Sequence, residues 1–126
     1  MSRTMRIDIA GQEILVLGAP TPVSEAAVTA LCANGAVATG ASPRIVLVSL
    51  PLLPVPEVDI RATLAEAEAR TLEMAESTAG GRVVFLLPAV AGLPMRRHPD
   101  FSAAMAGALA TMRTLAMRCG PAVLVN

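Results

Sequence analysis

The densest group of residues that could do chemistry is Arg96-Arg97-His98-Pro99-Asp100, which contains the only histidine of the chain. A histidine and an aspartate at this spacing, beside two arginines, could bind an anion. The alternative is a solvated loop in which the Asp100 carboxylate caps the helix that follows, by accepting hydrogen bonds from its first N–H groups. We favour the loop and keep a site near Arg96–Asp100 as the alternative.

The other potential nucleophiles and ligands lack the partners that their chemistry needs. Ser102 has no visible general base. Cys32 and Cys119 lie far apart without metal-ligand spacing, so we expect two buried thiols in a reducing compartment. No Cys/His cluster accompanies the methionines, which are therefore expected to fill the core or an interface, and no metal site is predicted. These methionines are Met74, Met95, Met105, Met112 and Met117.

Composition and charge exclude several classes of function. The 126 residues suit one domain, 1–126, and ten basic against ten acidic residues give a net charge of 0 without a basic stripe, so nucleic acid is excluded as a partner. The apolar runs Ile45–Pro56 and Val83–Met95 are too short and too broken by proline and glycine to span a bilayer. Met1–Asp8 lacks the apolar core of a signal peptide, so a cytoplasmic protein is expected.

Short apolar runs alternate with helical stretches, which predicts parallel strands joined by helices. Ile45–Leu50 has no polar alternation, as is typical of a strand that is buried on both faces. The first helix should begin near Thr21 or Ser24 and end before Gly35. Strands are predicted at Glu13–Leu17, Ile45–Leu50, Val83–Leu87 and Ala122–Val125, and helices at Val23–Asn34, Asp59–Ser77 and Phe101–Arg118.

The run Phe101-Ser102-Ala103-Ala104-Met105-Ala106-Gly107, preceded by Gly80–Phe85 and followed by Gly120–Asn126, resembles the active-site helix of the short-chain dehydrogenase/reductase family. That family carries Tyr-x-x-x-Lys here. Its tyrosine hydroxyl is the acid/base, and its lysine lowers the tyrosine pKa and holds the nicotinamide ribose. This chain has Phe101 for the tyrosine and Met105 for the lysine. The resemblance therefore implies a non-catalytic relative.

The other motifs of the family are lost as well. Its Thr-Gly-x-x-x-Gly-x-Gly is matched by Leu17–Ser24, in which only Gly18 survives while Pro22 and Ser24 take the other two glycine positions. From the residues alone, the run predicts a capped helix start with proline in its first turn. The catalytic serine of the family falls at Ala89 by motif, or at Pro88 by spacing, and its active-site asparagine falls near Ala67. The resemblance thus implies no catalytic residue and no bound cofactor.

The resemblance also implies a truncated fold. Relatives order their strands 3-2-1-4-5-6-7, and the segment between Gly35 and Arg44 is too short for the second and third. What remains is a Rossmann-like α/β domain, three-layered or with an open-faced parallel sheet, of about four strands and three long helices. Right-handed crossovers would then place all three helices on one face and leave the other bare. Three alternatives stay open: the first helix packs against the rule, a partner covers the bare face, or further segments of a longer protein do.

The last two helices are the ones through which relatives dock in pairs. The final helix presents small residues on several faces, and an Ala-rich helix packed on its own sheet explains only some of them. We expect a non-catalytic subunit that pairs with a full-length dehydrogenase or with a second copy of itself. The rivals are an enzyme or small-molecule binding protein with a new site near Arg96–Asp100, and a homo-oligomeric scaffold. The interface candidates are Ala103, Ala104, Gly107, Ala108, Met112 and Leu115.

Overall fold

The computed structural model describes residues 8–38 and 41–126, so that most of the predicted leaderless start, Met1–Asp8, lies outside the described residues. The four predicted strands and three predicted helices are confirmed, with boundaries that shift by at most two residues. In chain order they are β1 (Ile14–Leu17), α1 (Pro22–Ala33), β2 (Ile45–Ser49), α2 (Glu57–Glu76), β3 (Gly81–Leu86), a short 3-10 helix (Ala89–Ala91), α3 (Pro99–Cys119) and β4 (Val123–Val125).

The strands form one parallel sheet in the order β1-β2-β3-β4. Ile14 pairs with Ile45 at the start of the first ladder, and Ile45 pairs in turn with Arg82 of β3. This is the Rossmann-like α/β arrangement that the sequence predicted. Because every pair is parallel, all the strands end at the same edge of the sheet, and the loops that follow β1, β2 and β3 meet there.

Both faces of the sheet are apolar, as the unbroken run of β2 predicted. Val46 and Val48 of β2 and Val83 and Phe85 of β3 point to one face, where they form the main core with α2 and α3. The alternate residues of β1 and β2 point to the other face, where they form a smaller core with Ala27, Val28 and Leu31 of α1. The side chains of β1 and β2 in this smaller core are Ile14, Val16, Ile45 and Leu47.

The expectation that all three helices share one face is therefore wrong for α1. Since β1, β2, β3 and β4 are added in one direction, a helix on the opposite face makes its crossover with the opposite hand. Right-handed crossovers make up about 98% of such connections, so α1 is the exception among the three. Of the three alternatives left open by the sequence, the first one holds: the first helix packs against the rule.

The width of the sheet gives a physical reason for this exception. Neighbouring strands lie about 4.8 Å apart, so four strands present a face about 19 Å wide. A helix with its side chains is about 10 Å in diameter, and two of them fill that width. Because α2 and α3 already pack side by side on the main core, a third helix finds apolar surface to bury only on the other face.

The burial of the sulfur-containing side chains corrects the expectation of two buried thiols for one of the cysteines. Cys119 is buried and free, as expected, but Cys32 is exposed on α1, because its position on the helix points away from the smaller core. Met74 and Met105 fill the main core, whereas Met117 in the last turns of α3 is 87% exposed.

The ends of β1 and β2 approach each other closely through Gly18. This residue has φ +87°, and a Cβ built on it would collide with the backbone oxygen of Ser49. The Ser49 hydroxyl also donates a hydrogen bond to the carbonyl of Ala19 at 2.8 Å. Gly18 is thus required by backbone packing as well as by its conformation.

Replacing Gly18 tests the close approach between the ends of β1 and β2. We expect Gly18→Ala to lower the free energy of unfolding by about 3 kcal/mol or more, because a left-handed alanine is strained and its Cβ meets backbone. Gly11→Ala is the matched control: Gly11 has φ +75°, but nothing in the described chain lies within 4 Å of its Cβ. The control should lose only about 1–2 kcal/mol in urea unfolding. Equal losses would contradict the close approach.

Candidate functional site

The start of α1 lies where the resemblance places a cofactor loop, and its polar groups are bonded to one another. Of the two residues expected near the helix start, Thr21 is the N-cap. Its Oγ1 accepts a hydrogen bond from the N–H of Ser24 at 3.2 Å, and Ser24 Oγ accepts one from the N–H of Thr21 at 2.8 Å. Pro22 is the first helical residue and has no N–H to offer. The arrangement is a reciprocal capping box that stabilises the helix start. It leaves few of the donors that a phosphate needs.

Phe101 and Met105, the positions of the lost tyrosine and lysine, lie inside the main core. Phe101 is 4% exposed and Met105 is fully buried, and Ala67 of α2 is fully buried in the same cluster. The structure thus brings together three of the four positions to which the resemblance assigns chemistry. None of these three side chains can accept or release a proton, so general acid–base catalysis at these positions would need another residue.

The fourth position lies apart from these three. Ala89 is exposed at the start of the short 3-10 helix, and Pro88 precedes it as the N-cap. Ser102, the nearby hydroxyl, is buried, and its Oγ accepts a hydrogen bond from the N–H of Met95 at 3.0 Å. This hydroxyl therefore holds the loop before α3 against the helix.

The loop Arg96–Asp100 lies at the start of α3, and the predicted role of Asp100 as its cap is wrong. His98 is the N-cap, with a left-handed backbone (φ 62°, ψ 60°) and no capping bond from its side chain in the described chain. Asp100 instead lies two residues after the cap, in the first turn, where its charge still suits the positive end of the helix. An open cavity of about 420 Å³ separates this loop from the β2–α2 connection. It is lined by Pro54, Val55, Pro56, Glu57, His98, Asp100 and Phe101.

The outer surface of α3 carries a row of exposed small residues, which we name the docking surface: Ala103, Ala106, Gly107 and Ala110. Four of the six predicted interface residues do not belong to it, two because they are buried and two because they are half-buried. Ala108 is fully buried and Leu115 is 3% exposed, because both face the main core of the chain itself. Ala104 and Met112 are half-buried and pack against the edge of that core.

Gly107 is the member of this surface that the fold does not explain. It lies in the middle of α3, where glycine costs about 0.5–1 kcal/mol relative to alanine. Nothing in the described chain lies within 4 Å of a Cβ built on it. Gly81, by contrast, has Met74 and the backbone of Arg44 where a Cβ would lie. The space beside Gly107 is therefore open to whatever approaches α3 from outside.

A second surface lies on the α1 face of the sheet, the face that was expected to be bare, but the groove on it was not predicted. There α1 covers β1 and β2, and a groove runs between this helix and β3, with Arg82, Val84 and Leu86 along one wall. We name it the α1–β3 groove. The signal that could have found it is the unbroken apolar run of β3 from Val83 to Leu86: Val83 and Phe85 enter the main core, which leaves Val84 and Leu86 on the other face.

A metal site needs a cluster of ligating side chains, and a membrane span needs a long apolar helix. In residues 8–38 and 41–126, no group of three or more His, Cys, Asp or Glu side chains could hold a metal ion. None of the helices described there combines the length and the apolar character that are needed to cross a membrane. Comparison of the chain with protein-family models, with curated proteins and with solved structures finds no match.

The core position of Met105 predicts how the chain responds to a restored lysine. We expect Met105→Lys to lower the free energy of unfolding by about 3 kcal/mol or more, because it buries an ammonium group without a partner. Met105→Leu keeps the volume and apolar character and should lose less than about 1.5 kcal/mol. Urea unfolding of both variants measures the difference. A lysine tolerated as well as leucine would show that position 105 is open to solvent or to a charged partner.

Proposed function

We propose that this chain is a catalytically inactive, short-chain dehydrogenase-like subunit that pairs with an active, full-length dehydrogenase. In that complex it stabilises the partner or shapes the partner's substrate pocket. Any hydride transfer belongs to the partner, which binds the nicotinamide cofactor.

Support for the inactive role comes from the positions that the family uses for chemistry. Phe101 and Met105 contribute to the core of the chain, and neither side chain can accept or release a proton. At the start of α1, Thr21 and Ser24 bond to each other, in the place where relatives leave backbone donors for a pyrophosphate. A helix start with these donors occupied favours a structural role over cofactor binding.

The observation that carries the pairing role is the docking surface of α3. Small residues let a second helix approach closely, and Gly107 allows the closest approach although it weakens the isolated helix. Further along the same helix, Met117 exposes most of its side chain, as is common at interfaces where a flexible apolar residue fills gaps. Fold stability alone would favour alanine at position 107 and a polar residue at 117.

The charge of α2, which packs beside α3, indicates what the partner surface should carry. This helix has six acidic residues, Glu57, Asp59, Glu66, Glu68, Glu73 and Glu76, against Arg61 and Arg70. Glu57 pairs with Arg61 at 2.7 Å and Glu73 with Arg70 at 3.6 Å, which leaves four acidic residues outside these two ion pairs. A partner with basic residues opposite α2 would associate faster and in one orientation.

A reducing, cytoplasmic location completes the proposal. Cys32 is an exposed free thiol and Cys119 a buried one, and neither is paired in the described chain. An exposed free thiol on a protein surface is typical of a compartment in which thiols stay reduced.

The inactive role predicts that the purified chain binds none of the four nicotinamide cofactors. Isothermal titration with NAD, NADH, NADP and NADPH should give no saturable heat, because the helix start offers too few donors to a pyrophosphate. Phe101→Tyr combined with Met105→Lys should remain inactive toward ketones and alcohols with these cofactors. A micromolar dissociation constant for any of them would overturn the inactive role.

The pairing role predicts a heteromer that a bulky charge on the docking surface abolishes. We would coexpress the chain with the reading frames adjacent to its own and measure mass by light scattering. The expected product contains a full-length dehydrogenase, identified by mass spectrometry. Gly107→Arg should dissociate it, because an unpaired charge held at an interface costs several kcal/mol.

The control for that variant is Ala26→Arg, an equally exposed change on α1, across the sheet from the docking surface. It should leave the complex intact. Gly107→Ala should stabilise the isolated chain by about 0.5–1 kcal/mol and still weaken the complex. A soluble monomer of 12.9 kDa with a cooperative melt would contradict the pairing role, and an oligomer of this chain alone would favour the scaffold instead.

A further inference from the structure

We propose that the α1–β3 groove binds the apolar tail of a small anionic amphiphile, such as a medium-chain fatty carboxylate, and that Arg82 holds its acidic group. The groove has a volume of about 360 Å³ and lies between α1 and the sheet. Its lining consists of Ile9, Ala27, Ala30, Leu31, Ile45, Leu47, Arg82, Val84 and Leu86.

The walls of the groove suit an alkyl chain. Apart from Arg82, every side chain that the described residues contribute to the lining is aliphatic, from α1 on one side to Val84 and Leu86 of β3 on the other. The volume falls within the range of about 300–1,000 Å³ that is typical of small-molecule sites, which are mostly apolar with a few polar groups that fix orientation. Contact with a hydrocarbon would remove this surface from water.

The groove exists because one helix covers only part of the face on which it lies. The sheet is about 19 Å wide and α1 about 10 Å, so nearly half of this face is left uncovered by the described helices. On β4, the neighbour of β3, Leu124 is 49% exposed and points to the same face, since Val123 and Val125 enter the main core. The apolar surface therefore continues from the groove toward β4.

Arg82 gives the groove its charge preference. It is the one charged side chain that the described residues place on the lining, and it forms no ion pair among residues 8–38 and 41–126. The acidic residue nearest to the lining in sequence, Asp8, accepts a hydrogen bond from the N–H of Ala10 at 3.1 Å. A guanidinium group binds a carboxylate through two parallel hydrogen bonds, so the fitting ligand carries an anionic group at one end.

The length of the groove sets the size of the ligand. Arg82 and Leu86 lie four residues apart on β3, which is about 13 Å along a strand. An extended alkyl chain of medium length fits that distance with its carboxylate at Arg82 and its tail at Leu86. This site lies on the face of the sheet opposite to α2 and α3, so it is independent of the pairing role proposed above.

Titration of the full-length chain with decanoate tests the site. We expect saturable binding of one decanoate per chain in isothermal titration, and about tenfold weaker binding to Arg82→Gln, which corresponds to the loss of one charge-assisted contact. Arg113→Gln, an exposed change on α3, is the matched control and should bind as the native chain does. Decyltrimethylammonium, with the same tail and the opposite charge, should bind more weakly than decanoate to the native chain.

A second variant tests whether the alkyl chain of decanoate lies in the α1–β3 groove. Ala30 is exposed on α1 and lines the groove, so Ala30→Phe should fill it without disturbing the core, and it should abolish decanoate binding while the thermal melt stays cooperative. Three results would overturn the proposal. The first is the absence of saturable decanoate binding up to about 1 mM, which is the weak end of specific affinity. The second is equal decanoate binding by the native chain and both groove variants. The third is a dimer of the chain that excludes decanoate from the groove.

Discussion

The whole structure depends on a parallel sheet that is apolar on both of its faces. Val46 and Val48 of β2 need cover on one side, and Ile45 and Leu47 need it on the other. Two helices fill one face of a four-stranded sheet, since the sheet is about 19 Å wide and each helix about 10 Å. The free energy gained by burying the second face explains why α1 lies there although its crossover then has the uncommon hand.

Because two helices fill one face of the sheet and one helix covers only part of the other, the molecule has two surfaces with different chemistry. On the filled face, α2 and α3 bury their apolar sides and turn a row of small residues, with Gly107 at its centre, toward the outside. On the half-filled face, the strip beside α1 that the described helices leave uncovered is aliphatic, and Arg82 is the one cation that residues 8–38 and 41–126 place on its lining. The positions to which the resemblance assigns an acid and a base, Phe101 and Met105, lie in the main core. The proposed roles are accordingly a helix surface for a protein partner and a groove for an apolar anion.

The elements of the fold could be predicted from the sequence because each has a local signal. The unbroken apolar run of β2 indicated burial on both faces, and Thr21 before Pro22 indicated the start of α1. The side of the sheet on which α1 lies has no local signal, because it depends on how much room α2 and α3 leave. Ala108 was wrongly predicted to lie at an interface for a related reason. Helix α3 carries alanine on its buried side and on its exposed side, so the residue type does not show that Ala108 faces the core while Gly107 faces outward. The cap of α3 was misjudged because backbone conformation at His98, and not the carboxylate of Asp100, ends the loop.

A double-mutant cycle tests most directly whether α1 lies on the face opposite to α2 and α3. Leu31 of α1 belongs to the smaller core together with Leu47, while Val46, the neighbour of Leu47 on β2, points into the main core. Truncating Leu31 and Leu47 to alanine, singly and together, should give a coupling energy of at least about 0.5 kcal/mol in urea unfolding, as for residues in contact. The cycle of Leu31 with Val46 should be additive within about 0.5 kcal/mol. Strong coupling of Leu31 to Val46 with additivity toward Leu47 would place α1 on the other face and contradict the account.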